Sequence, residues 1–190
     1  MSARNGRENK LSAGKVGILQ MKKTAIIADD LTGACDAGIR LKSLGADVVV
    51  AVDAEIGALQ LDGFLQVAVN TDTRSLGPQE SRELVAAAAR RLRAAGVERF
   101  YKKVDSVLRG NVASELDGCF DALDIRAALL APAFPENGRT VIGGRLNFTE
   151  DGRAESFAIA AVVHSGRRTA GIDCAMLDQG EAVVERFLAE

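Results

Sequence analysis

The chain has 190 residues, 47% of them hydrophobic and 26% charged, with a formal net charge of −2. That is the composition of a soluble globular domain long enough to bury one core, and the near-neutral balance gives no reason to expect nucleic acid or a membrane surface as partner. No apolar run approaches the roughly 18 residues that a membrane span needs. The three cysteines, Cys35, Cys119 and Cys174, are odd in number and form no CxxC pair. They read as reduced, buried small hydrophobes of a cytoplasmic protein, with no disulfide frame and no metal site expected. The single histidine, His164, has no motif around it and is read as structural.

Residues 1–20 are polar and basic, lack the apolar core of a signal peptide, and precede Met21-Lys22-Lys23, which looks like a natural start of translation. They are expected to be a disordered extension outside the folded domain of residues 21–190. Thr24 to Ala28 is a short apolar run of the kind found in a buried parallel strand, and Asp29-Asp30-Leu31-Thr32-Gly33 follows at once. Thr32 or Asp30 can start a helix that runs to about Leu44, with Gly45 ending it. Further strands are predicted over Asp47 to Val52 and Phe64 to Val69. Pro78 then opens a helix rich in Ala, Leu, Glu and Arg that Gly96 closes. Arg99 to Val104 is predicted as the central strand, Asn111 as the cap of a helix over Val112 to Phe120, and Ala127 to Ala131 as the fifth strand. After Phe148 the pattern weakens. Thr149 to Gly152 is a turn, Ala154 to His164 reads as helix or strand, and Glu181 to Leu188 reads as a terminal helix.

Alternating strand and helix predict an α/β fold, an open and mostly parallel sheet with helices on both faces, three layers in all. Four polar clusters follow predicted strand ends: Asp29 and Asp30, Asn70 to Arg74, Lys103 to Arg109, and Asn137 to Arg139. Ligands of open α/β sheets bind along that edge, so these clusters are expected to meet in one cleft. The adjacent carboxylates Asp29 and Asp30 suit a general base, a partner for a metal or a lysine, or both. Arg74 offers a planar fork for a carboxylate or phosphate, and its removal is expected to weaken ligand binding with little change in stability. Lys103 and Arg109 add positive charge, and Asp105 and Ser106 can bond sugar hydroxyls. Such a mixture fits a small polyhydroxylated acid. No G-x-x-x-x-G-K-[ST] occurs, and Asp-Leu-Thr-Gly-Ala is not G-x-G-x-x-G, which counts against a P-loop and a dinucleotide fold. A phosphatase with an aspartate nucleophile would place two carboxylates as D-x-D. Here they are contiguous.

Ile27-Ala28-Asp29-Asp30-Leu31-Thr32-Gly33-Ala34, Asn70-Thr71-Asp72-Thr73-Arg74, Tyr101 to Asn111, and Ala131-Pro132-Ala133-Phe134-Pro135 with Gly138-Arg139-Thr140 together resemble the N-terminal domain of the four-carbon acid sugar kinases. The resemblance covers residues 24–144, and the sequence departs from the pattern from about Arg145. It implies an ATP- and Mg²⁺-dependent kinase acting on a terminal hydroxyl of threonate, erythronate or 3-oxo-tetronate. It also implies a separate ATP-binding domain, in cis or as another chain, that is expected to be absent here because the chain stops at Glu190. The chain is then a fragment, a truncated product or one part of a split enzyme, binding substrate without turning it over. By position, Asp30 or Asp29 would be the base. Arg74 and Lys103 would hold the substrate carboxylate, Asp105 and Ser106 its hydroxyls, and Arg109 would support the loop or face the incoming phosphate. The alternatives are a non-catalytic sugar-acid-binding module and an Asp-nucleophile phosphatase.

Overall fold

The computed structural model of the protein describes residues 22–55, 63–163 and 166–189; the extension expected over residues 1–20 and His164 lie outside them. Its first strand, β1 (Thr24–Ala28), is buried along all but its first residue. It leads into α1 (Leu31–Ser43), where the Asp30 carboxylate caps the helix by accepting the Gly33 N–H at 2.8 Å. The chain continues through β2 (Val48–Ala51), β3 (Gln66–Asn70), α2 (Pro78–Ala94), β4 (Arg99–Lys103) and α3 (Val112–Leu123). The four strands are all parallel and lie in the order β2-β3-β1-β4.

Successive side chains of a strand point to opposite faces, and the core divides accordingly. Ile26 and Ala28 of β1 pack with Ala68 and Ala34 under α1. Ala25 and Ile27 face the other way and join Val67, Val69, Val85, Leu92, Cys119 and Leu123 of β3, α2 and α3. This is the three-layer α/β arrangement that the sequence predicts. On the second face α2 and α3 approach so closely that a Cβ added to Gly118 would lie 2.5 Å from the Arg82 carbonyl oxygen.

Several expectations are corrected. Ala127 to Ala131 forms no strand. After Asp124 takes a left-handed turn (φ 52) the apolar run crosses the surface, with Leu129 81% exposed. An apolar run alone cannot distinguish a buried strand from a segment that finds no ladder. Consequently β4 is an edge strand of the four-stranded sheet, not the central one. Only Cys119 of the cysteines is buried, and burial raises its thiol to about 11; Cys35 is half-buried and Cys174 exposed.

The remaining chain makes a second, antiparallel sheet of β5 (Thr140–Ile142), β6 (Arg145–Glu150) and β7 (Arg153–Ala158). The predicted turn at its tip, Asp151-Gly152, has positive φ at both residues, the conformation that matches the twist of a tight hairpin. Ala154 to Val163 is both strand and helix: β7 ends at Ala158 and a single helical turn, α4 (Ile159–Val162), follows. Fully buried Leu146 packs against Leu108 and Val112, with Phe148, Phe157 and Ile159 around them, so this sheet props up the turn after β4. Arg167 stacks over the Phe120 ring at 4.1 Å and pairs with Asp117 at 3.1 Å. That fastens the C-terminal stretch, with α5 (Cys174–Asp178) and α6 (Glu181–Ala189), to α3.

Gly118→Ala tests the helix contact. Alanine should gain about 1 kcal/mol of helix propensity, yet the clash is expected to leave a net loss of about 1–3 kcal/mol in urea unfolding. A stabilised variant would mean that α2 and α3 are further apart than described.

Candidate functional site

Strand register brings the site together. Ala28, the last residue of β1, lies opposite Asn70 of β3 and Lys103 of β4, so three neighbouring strands end level and their following turns emerge side by side. The first turn carries Asp29 and Asp30, the second Thr71 to Arg74, the third Val104 to Gly110. The fourth predicted cluster does not join them. Without the fifth strand, Asn137 to Arg139 lies in a surface turn closed by paired hydrogen bonds between Phe134 and Arg139, and neighbouring Glu136 pairs with Arg40 of α1.

Arg74 is the hub. Its Nε and Nη2 donate to the two carboxylate oxygens of Asp29 at 2.8 and 2.9 Å, and its Nη1 donates to Asp30 Oδ2 at 2.7 Å. The Asp105 carboxylate stands 3.9 Å from Nη1. The hydrogen bond to Asp29, backed by these three negative charges, outweighs burial and holds the guanidinium above its ordinary value. Main-chain bonds reinforce the fork, because the Asp29 carbonyl accepts the N–H groups of Thr73 and Arg74 at 3.0 and 3.2 Å. Asp29 is 2% exposed with both oxygens engaged. Asp30 is half-buried and holds one helix-cap bond and one bond to Arg74. Between the two candidate bases, Asp30 is the one that solvent and a ligand can reach.

The third turn is built around Asp105. Its Oδ1 accepts from the Val107 and Arg109 amides and from Arg109 Nε, and its Oδ2 from Arg109 Nη2. Burial works against the charge, but these bonds prevail and the carboxyl is lowered to about 2. Leu108 sits in the left-handed region at φ 58, a conformation costly for a branched side chain, and its burial against Leu146 and Val112 holds it there. Ser106 is half-buried in the same turn. The two lysines of β4 separate by strand alternation. Lys103 packs its stem over Gly33 at the start of α1 and donates to the Val104 carbonyl at 2.6 Å. Lys102 faces the other way and pairs with Glu115 of α3 at 2.8 Å, both side chains buried.

Sequence reasoning noticed the misplaced lysines but missed Glu115, Thr71 and Thr73 as their setting. Thr73 donates to Glu115 at 2.5 Å and lies 2.9 Å from the Thr71 hydroxyl, which donates to the Ala28 carbonyl. A buried lysine demands a buried acid, and that was the available signal. Asn111 stands at the cap position of α3, but its side chain makes no cap bond; it reaches the Thr73 and Leu76 carbonyls instead.

Among the described residues no group of three or more His, Cys, Asp or Glu side chains is disposed to hold a metal ion, and no helix is long and apolar enough to cross a membrane. A shallow hollow of about 350 Å³ lies on the small sheet, lined in part by Asn147, Phe148, Glu155 and Ser156, away from these turns.

Residues 24–185 match the family described as the sugar-binding N-terminal domain, and the chain belongs to that family. It is 42% identical over 124 residues to the D-threonate kinase of Cupriavidus necator, covering 63% of this chain and 28% of that one. It is 36% identical over 128 residues to the D-erythronate kinase of Heliobacterium modesticaldum, covering 66% and 29%. The 3-oxo-tetronate kinase of Salmonella typhimurium is 36% identical over 130 residues, covering 66% and 31%. The chain thus spans about a third of the length of these relatives. Among solved structures, a domain of unknown function from Bordetella bronchiseptica, a domain-swapped dimer with bound citrate, superposes with a TM-score of 0.62 at 39% identity, covering 65% of this chain and 32% of that one. A Salmonella typhimurium protein described as a tRNA synthase gives 0.73 at 27% identity, covering 89% and 45%. The phosphatase alternative finds no support in these relatives, and Asp29, with both oxygens tied to Arg74, is poorly placed as a nucleophile.

The expectation that Arg74 could be removed at little cost to stability is replaced. Arg74→Ala strands Asp29 in the interior and should destabilise the protein by about 3 kcal/mol, whereas adding Asp29→Ala to it should cost little more; denaturant titrations of the single and double variants check this. Asp105 gives a pH signature. Its folded-state value lies below the unfolded one, so its stabilisation is complete above about pH 4 and disappears as the pH falls to about 2. Asp105→Asn should therefore lose about 2 kcal/mol less stability than the parent between pH 5 and pH 2.

Proposed function

We propose that this member of the family binds a four-carbon sugar acid, such as threonate, erythronate or 3-oxo-tetronate, and presents its terminal hydroxyl for phosphorylation, as the substrate-recognition part of an ATP-dependent kinase. The supporting observation is the layering of charge at the rim. Asp29 and Asp105 are buried, 2% and 6% exposed, while the Arg109 side chain is 61% exposed and, among the described residues, the Lys103 ammonium has only the Val104 carbonyl as partner. Two of the three acids lie beneath and Arg109 faces out, so an anion is the complementary ligand. The names of the tetronate kinases and the citrate held by the Bordetella bronchiseptica structure agree with a small hydroxylated acid.

In this reading Lys103 and the N–H groups of Arg74 not engaged by Asp29 and Asp30 hold the ligand carboxylate, a charge-assisted contact. The amides that open α1, of which the Asp30 carboxylate takes that of Gly33, add a favourable field. Ser106 and Asp105 Oδ2 receive hydroxyls. Asp30 accepts the proton of the reacting hydroxyl, one of its oxygens fixed by the helix cap and the other by Arg74. Arg109 stands over the turn, steadied by Asp105, where positive charge favours an incoming phosphoryl group. ATP with Mg²⁺ would supply that group. The chain spans about a third of the length of the kinases it resembles, and in this reading the nucleotide's cradle is assigned to a further domain, in cis or as a separate chain. By itself the chain is proposed to bind without turnover.

Saturation at about 100 times the dissociation constant adds roughly 2.7 kcal/mol, a melting shift of about 5–10 °C for a chain of this size. D-threonate, D-erythronate and 3-oxo-tetronate are expected to include at least one ligand giving it, and the neutral tetritols none. No shift with any of the acids, or equal shifts with the tetritols, would defeat the reading. Lys103→Ala buries no unpaired charge, so it should fold normally and weaken binding of the acid by about 1.5–3 kcal/mol in calorimetry.

A further inference from the structure

We infer that Asn111 and Glu115, at the start of α3, are positioning residues for the sugar-acid site: they hold the turn that carries Arg74 and thereby set ligand affinity without touching the ligand. The inference rests on the reading above in which Arg74 meets the ligand.

Every polar group of Thr73, the residue before Arg74, is engaged although the residue is fully buried. Its N–H donates to the Asp29 carbonyl at 3.0 Å, its hydroxyl to Glu115 at 2.5 Å, and its carbonyl accepts from Ser81 Oγ at 3.1 Å and Asn111 Nδ2 at 3.2 Å. Asn111 Nδ2 also stands 2.9 Å from both the Leu76 carbonyl and Ser81 Oγ, spanning the turn from one side to the other. An asparagine at a helix start ordinarily caps it; this one caps the neighbouring turn instead. Glu115, 1% exposed, completes the arrangement by taking Lys102 on its second oxygen.

The turn needs such restraint. Asp72 lies in the left-handed region at φ 52, a conformation that persists only where the surroundings enforce it. Without the clamp from α3, Asp72 and Thr73 can relax, and the Arg74 fork shifts against Asp29 and Asp30. Loss of one charge-assisted hydrogen bond to the ligand lowers affinity by about one to two orders of magnitude. The charge on Arg74 is unchanged by such a shift. Only its address is lost.

The test compares Asn111→Ala and Glu115→Gln with Val85→Ala, a core truncation on α2 whose apolar side chain makes none of the turn's hydrogen bonds, all in the full chain well below their melting temperatures. D-threonate is titrated calorimetrically, with D-erythronate and 3-oxo-tetronate in parallel, and the Arg74 Nε–H resonance is followed by NMR. Both turn variants should raise the dissociation constant about tenfold and broaden the Arg74 signal. Val85→Ala should lose stability yet keep its affinity within about twofold of the parent, with an unchanged Arg74 signal. Unaltered affinity in folded Asn111→Ala and Glu115→Gln, an equal loss in Val85→Ala, or failure of both turn variants to fold would each overturn the inference. If the parent binds none of the three acids, the proposed function falls. The NMR comparison then decides the clamp alone: a sharp, unshifted Arg74 signal in the turn variants overturns it, and a broadened one supports it.

Discussion

The structure depends on one charged contact, the fork of Arg74 across Asp29 and Asp30 where β1 and β3 end. A carboxylate as deeply buried as Asp29 demands a partner with matching geometry, and a planar guanidinium donating to both oxygens provides it. The neighbours of the fork are glycines for a physical reason. A Cβ on Gly110 would come within 3.2 Å of Asp29 Oδ2 and 3.3 Å of Arg74 Cγ, and its φ of 86° excludes most side chains in any case. A Cβ on Gly33 would meet the capping oxygen of Asp30 at 2.6 Å. The Asp-Asp-Leu-Thr-Gly, Asp-Thr-Arg and Leu-Arg-Gly stretches are therefore three parts of one contact.

Around that contact the protein adds support from both sides. On the sheet side, α3 delivers Glu115 to the Thr73 hydroxyl and to Lys102, so a buried polar network runs from the edge strand to the turn. On the outer side, the small antiparallel sheet covers Leu108 and keeps the Asp105 turn closed. The fold thus buries Asp29 and Asp105 and leaves Arg109 at the surface, with Asp30, Arg74 and Lys103 half-buried between them. In the proposed function an anion is favoured by which groups are reachable, since Asp29, Asp30 and Asp105 balance Arg74, Lys103 and Arg109 in number.

The sheet and its helices were legible in the sequence because their signals are local: apolar runs of strand length, Asp30 before a helix, Pro78 at the start of one, glycines after the ends. The convergence of the first three polar turns was legible too, since parallel strands that start a crossover end on one edge. What was not legible required knowing the partner. The apolar run from Ala127 to Ala131 resembles a strand but finds no ladder, which moves β4 to the edge. The sequence offers Arg74 as a ligand-holding group without showing that Asp29 and Asp30 also take three of its N–H donors. Asn111 stands where a helix cap is expected, yet its amide turns to the Thr73 carbonyl, a partner that only the fold brings near. Lys102 and Lys103 looked alike in sequence; strand alternation gives one to the interior and one to the rim.

The central claim is that the rim holds a sugar acid by its carboxylate, and a crystal of the chain soaked with D-threonate tests it most directly. The ligand carboxylate is expected within hydrogen-bonding distance of Lys103 Nζ and the outer nitrogens of Arg74, with a hydroxyl beside Asp30 and the Arg74 fork undisturbed. Density for the acid elsewhere, on the hollow of the small sheet for instance, with the rim unchanged, would contradict it.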